Sequence, residues 1–134
     1  MPDCPGGVGS RREARERALA LLYEAEVKGL DGPAVLAAQP IEVDDYAADL
    51  VAGVAEHLTV LDERIGRHAR GWVVERMPVV DRTLLRMAAY ELGWRPDVPR
   101  NAVINEAVEL AKRYSTDDSG RFVNGVLAAI AAAT

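Results

Sequence analysis

The residues best equipped for chemistry fall into two groups, one near each end of the chain. In "SRREARERALALLYEAE" Arg11, Arg12, Arg15 and Arg17 stand within seven residues, interrupted by Glu13 and Glu16 and followed by Tyr23. In "YSTDDSGRFVNGVL" the single phenylalanine of the chain, Phe122, follows Asp117, Asp118 and Arg121. Guanidinium groups hold phosphate oxygens in a fixed fork, and aromatic rings stack unpaired bases, so such groups together suit a nucleic-acid strand. At about 100° per residue Arg11 and Arg15 lie beside the apolar stripe of a helix. Arg12, Leu19 and Tyr23 follow round the same edge, within roughly 80° of Arg15. The same pattern also fits a solvated face with intrahelical ion pairs, and the local sequence favours that. Phe122 lies almost 60° beyond the apolar group Val123, Val126, Leu127 and Ile130. It is core or a half-exposed platform, and pattern alone favours core.

Other chemistries find little support. Cys4 is the only cysteine, which excludes an internal disulfide and a Cys-based metal site and suits a reducing cytosol. His57 and His68 read as ordinary surface or half-buried histidines, with no metal implied. There is no Gly-rich phosphate loop, no HExxH and no sequence context for a Ser or Cys nucleophile. The expectation is a protein without catalysis.

The elements that must position these residues are helical. Ala and Leu do most of the packing, and no strand-length alternation occurs. A long helix is predicted from Ser10, as its cap, to Lys28, with Gly29 ending it. Asp31-Gly32-Pro33 opens a short helix that stops before Pro40, and another follows Asp44-Asp45. A fourth is expected from about Val60 to Arg70, and Trp72 to Val74 form a short apolar connector. The segment from Asp81, as cap, to Trp94 has two apolar stripes, Leu84, Leu85, Ala88 and Leu92 against Thr83, Met87, Tyr90 and Trp94, which marks a central helix. "NAVINEAVELAKRY" is strongly amphipathic, with Glu109 and Arg113 as an i,i+4 pair. The last helix starts near Asp117 or Asp118. The reading is all-α, about seven helices, with residues 1–10 a flexible leader and 11–134 a single domain.

The 134 residues, 49% hydrophobic and 28% charged, read as globular. No segment reaches the roughly 18–20 apolar residues of a membrane span, and the first ten residues are not a signal peptide. The net charge of −5 by itself argues against nucleic acid. Screening beyond about 8 Å makes local clusters matter more than the total.

"DVPRNAVINEAVELAKRYSTDDSGRFVNGVL", "VDRTLLRMAAYEL" and "RREARERALALLYEAE" closely resemble the NusB family of transcription antitermination factors. The likeness runs from about Arg11 to Ile130 and is weaker in the middle helices; "INEAVELAK" with "FVNGVL" is its specific part. It implies two three-helix bundles, no catalysis and no cofactor. It implies a cytoplasmic protein that binds the boxA segment of ribosomal RNA leaders with the ribosomal protein NusE, within a complex with NusA, NusG and RNA polymerase. Some members form homodimers that cover the RNA face, so monomer and homodimer both stay open. By position, the family's arginine-rich start falls on Arg11, Arg12 and Arg15, its first-helix aromatic on Tyr23, and its F-V-N-G phenylalanine on Phe122, with Asp118 and Arg121 beside it. This likeness turns Phe122 from core to stacking surface. Glu75 and Asp81 match acidic positions at the partner edge. A helical adaptor that binds protein, without RNA affinity of its own, is the alternative.

Overall fold

The sequence stops its helices where chemistry allows a stop. The computed structural model describes residues 8–134, and the first seven residues of the expected leader lie outside them. Helix α1 spans Val8–Lys28, α2 Gly32–Ala37, α3 Asp45–Glu56, α4 Leu58–His68, α5 Val79–Trp94, α6 Arg100–Tyr114 and α7 Asp117–Ala133. A single 3₁₀ turn, Val74–Arg76, joins α4 to α5, and no strand occurs among the described residues. At the end of α1 the backbone of Gly29 has φ +69°, and the Leu30 N–H donates to Ala25 O at 2.9 Å. That is the hydrogen bond of a Schellman stop, whose left-handed residue is best supplied by glycine. Asp31 and Asp44 cap α2 and α3, accepting from Ala34 N at 2.8 Å and Ala47 N at 3.1 Å.

Several expected boundaries shift. α1 begins at Val8, two residues before the proposed Ser10 cap. α4 begins at Leu58, directly after His57 closes α3. α5 begins at Val79, so Asp81 sits inside its first turn and does not cap it. α7 begins at Asp117, as expected, and is capped by Thr116, whose Oγ1 accepts from Ser119 N at 3.0 Å. The Glu109–Arg113 pair gives way to a tertiary one: Arg113 reaches Glu16 on α1 at 2.9 Å.

α1, α2 and α3 pack together, as do α5, α6 and α7, with α4 laid against α5 and α7. α5 touches both groups, which explains its two apolar stripes: Leu84, Leu85 and Leu92, and Thr83, Met87 and Tyr90 across from them, are all buried. α3 approaches α5 so closely that a Cβ at Gly53 would lie 2.2 Å from the Tyr90 ring. Leu50, Leu61, Ile65, Leu127 and Ile130 complete the core from α3, α4 and α7. Burying such side chains stabilises by about 1.5–3 kcal/mol each. No helix among the described residues is long and apolar enough to cross a membrane.

Candidate nucleic-acid interface

The arginine run does not form one patch, because one helix turn sends its members in three directions. Arg15 points inward and is 4% exposed. Its Nε and Nη2 donate to Glu91 Oε1 and Oε2 at 3.0 and 2.8 Å, and Glu91 is 2% exposed. The Tyr46 hydroxyl donates to Glu91 Oε2 at 2.6 Å. Burial alone would lower the pKa of Arg15, but the hydrogen bonds and charge of Glu91 outweigh it and raise it. Burial, then the charge and hydrogen bond of Glu91, raises the pKa of Tyr46. The expectation that Arg15 neutralises a phosphate is therefore corrected. A residue beside the apolar stripe is covered once α3 and α5 pack, and its charge needs a buried partner.

Arg11 turns toward α3 and the loop after α5. It is 3.4 Å from Asp97 Oδ2, with its Cζ 5.3 Å from the Tyr46 ring centre. Arg12 turns toward α6 and is exposed, donating from Nε and Nη2 to Glu106 at 3.0 and 2.9 Å. The hydrogen bonds from Arg12 hold the Glu106 carboxyl below the usual glutamate range. Farther along the same edge, Glu16 Oε2 accepts from Arg113 and from the Tyr114 hydroxyl at 2.9 and 3.0 Å. Tyr23, seven residues after Glu16 and so on the same face, is 48% exposed. Glu26 then meets Arg82 at 3.0 Å.

The second group gathers at the start of α7. Gly120 faces α6, where a Cβ would lie 3.0 Å from Lys112 Cγ. Phe122, about 200° further round, faces away from α6. It packs partly against the core, and its ring centre is 5.9 Å from that of Trp72 at an interplanar angle of 56°. Between them opens a cleft of about 320 Å³ whose walls include Met77, Asp81, Ser115, Asp118 and Ser119. Asp118 and Arg121 are exposed and paired with each other. Asp81 is 4% exposed: Oδ2 accepts from Ser119 Oγ at 2.8 Å, and Oδ1 is buried without a hydrogen-bond partner. Its expected place on an outer partner edge is corrected, because packing of α7 over α5 encloses it. Glu75 is exposed on the 3₁₀ turn, where its carbonyl accepts from Arg82 at 3.4 Å.

Phe122, Asp118, Arg121 and Asp81 are thus brought together, while Arg12 and Tyr23 form a separate strip along α1 and α6. Tyr114, at the end of α6 and exposed, stands between strip and cleft, next to the cleft residue Ser115. Sequence reasoning passed over Trp72, 49% exposed, as part of an apolar connector. The available signal was a large ring beside Gly71, whose φ of +78° turns the chain there. It also missed Glu91, Glu106 and Tyr46, whose roles depend on contacts far along the chain. Among the described residues no cluster of three or more His, Cys, Asp or Glu side chains is placed to hold a metal.

Fold and site define an all-helical double bundle whose open chemistry lies on surfaces and one shallow aromatic cleft. A model of the NusB family matches residues 12–132. The transcription antitermination protein NusB of Saccharopolyspora erythraea is 48% identical over 130 residues, covering 92% of this chain and 88% of that one. That of Sorangium cellulosum is 46% identical, covering 92% and 93%. Among solved structures, NusB of T. maritima superposes with a TM-score of 0.80 at 36% identity, over 91% of this chain and 90% of that one. A crystal structure of antitermination factors NusB and NusE in complex with dsRNA superposes at 0.78 with 31% identity, over 92% and 97%. This chain belongs to the NusB family.

Proposed function

We propose that this chain is an RNA-binding transcription antitermination factor of the cytoplasm. It holds boxA RNA of ribosomal leader transcripts together with NusE, within a larger complex of NusA, NusG and RNA polymerase. The observation that carries this reading is the likeness, over nearly the whole of both chains, to a NusB crystallised with NusE and RNA. Arg12, with Arg11 at the helix start, meets phosphates. Tyr23 and Phe122 offer stacking worth about 1–3 kcal/mol per base. Arg15 fixes the helix and takes no part in contact. Arg121 is shared with Asp118, and Glu75 offers its carboxylate to the protein partner.

The RNA-facing cations already hold partners: Arg12 on Glu106, Arg11 on Asp97, Arg121 on Asp118. A phosphate must compete with each carboxylate, which makes affinity for RNA alone modest and gives NusE a reason to be needed. With two or three phosphate contacts, log K falls with log salt at a slope of about −1.4 to −2.1. Titration of labelled boxA RNA with this protein alone, and then with NusE, tests the reading. Binding by the protein alone, strengthened by NusE and with that shallow slope, is expected. Binding only through NusE would favour the adaptor reading instead.

A further inference from the structure

We propose that the cleft lined by Trp72 and Phe122 receives one unstacked base that bears an exocyclic amino group, stacked on one of the two rings and edged by the other, with Asp81 as the reader of the amino. This rests on the RNA-binding reading above and goes further by naming two residues and a base preference. Three independent features meet here. Trp72 is a large ring left 49% exposed, held at the cleft mouth by the linker after α4. Its ring and that of Phe122 stand 5.9 Å apart and tilted by 56°, so a flat group stacked on the face of one meets the other through its edge. The volume, about 320 Å³, lies at the small end of ligand pockets.

The third feature is the carboxyl of Asp81. Buried polar atoms are almost always paired, so an orphan beside a cleft asks for a donor. Ser119 cannot supply a second one: its hydroxyl already donates to Oδ2 and its N–H donates to Thr116. The remaining polar side chains about Ser119, Ser115 and Thr116, bond to its hydroxyl at 3.0 Å each. Among the described residues no side chain supplies that donor, which leaves Oδ1 able to accept from a group that enters the cleft. An aliphatic anchor from another protein would fill the aromatic walls and leave Oδ1 bare. A base satisfies both demands, since one face stacks on a ring while its edge brings an N–H to the acceptor. A carboxyl accepts from the amino group of cytosine, whereas uracil presents a carbonyl oxygen at the same ring position. The cleft therefore prefers cytosine over uracil, two bases of nearly equal size.

The chain has two tryptophans, so Trp94→Phe leaves Trp72 as the sole reporter. Single-stranded oligocytidine and oligouridine of equal length are titrated into that full-length variant at low salt, following Trp72 emission. Expected are quenching of Trp72 and binding of oligocytidine tighter by about fivefold to tenfold. Asp81→Asn, which can turn an amide N–H toward the base, should erase or invert that preference. If that variant fails to fold, Trp72→Leu at an exposed position serves: it should weaken oligocytidine binding while leaving the melting temperature unchanged. Equal affinity for the two oligomers, or RNA binding that leaves Trp72 emission unmoved, overturns this inference and spares the RNA reading. Quenching of Trp72 by an arginine-bearing NusE surface, with none from RNA, also overturns it. No RNA bound with or without NusE overturns both.

Discussion

Helix α5 carries two buried carboxyls roughly three turns apart, and their surroundings differ. Glu91 is saturated, with two hydrogen bonds from Arg15 and one from Tyr46. Asp81 has one partner, Ser119, and one oxygen with none. Both are almost inaccessible, so burial alone does not distinguish them. What distinguishes them is completeness. A buried charge with both oxygens bonded is scaffold, since each oxygen faces another part of the same chain. An unsaturated one at the wall of an aromatic cleft has chemistry left to offer. The same contrast separates Arg15 from Arg12, which stand one turn apart on α1: the first is enclosed, the second meets its carboxylate at the surface, where water and salt weaken the bond.

This contrast can be broken first at its saturated end. Glu91→Ala leaves the Arg15 charge buried without its partner and should destabilise the fold by about 3–5 kcal/mol, read by urea denaturation. A loss below about 1 kcal/mol would mean that Arg15 finds water, and with it a route to RNA. At the open end Phe122→Ala should lower RNA affinity by about fivefold to 150-fold, the equivalent of one stacked base, with a stability loss well below that of Glu91→Ala. A fall in melting temperature as large as that of Glu91→Ala would return Phe122 to the core.

Asp118→Asn removes a negative charge that holds Arg121 and leaves the helix cap untouched, because Thr116 supplies it. RNA binding should tighten by roughly twofold to fivefold at low salt and lose that gain as salt rises. Weaker binding would place the RNA elsewhere.

The smallest effect concerns Glu106. Its folded-state pKa is held down by hydrogen bonds from Arg12, so its contribution to stability is present above the unfolded value, about 4.3, and is lost as pH falls through the folded value. Melting temperature should therefore drop less steeply below about pH 4.3 in Glu106→Gln than in the parent. The variant should also release Arg12 and bind RNA slightly better at neutral pH. Parallel acid profiles would show that the pair does not persist in solution.

Most of the helical plan was legible along the chain. Aspartates before α2 and α3, Gly29 after α1 and the double stripe of α5 act within a turn or two of themselves, so nearest-neighbour chemistry decides them. The family motifs likewise drew attention to the edge of α1 that carries Arg12 and Tyr23 and to the start of α7 that carries Phe122. Legibility failed for individual side chains: Arg15 belonged to the arginine run and was read with it, Asp81 looked like a cap, and Trp72 looked like filler.

Propensity, capping and periodicity are local, and through them the sequence by itself determined seven helices, their approximate ends and the central place of α5. Which charge meets which, and which ring stays open, depended on helices brought together across great separations. Arg15 and Glu91 are 76 residues apart along the chain, and Ser119 and Asp81 are 38. Only the tertiary structure decided these pairings, because the energy of a charged group is set by the atoms and water around it after packing, and no local pattern encodes that environment.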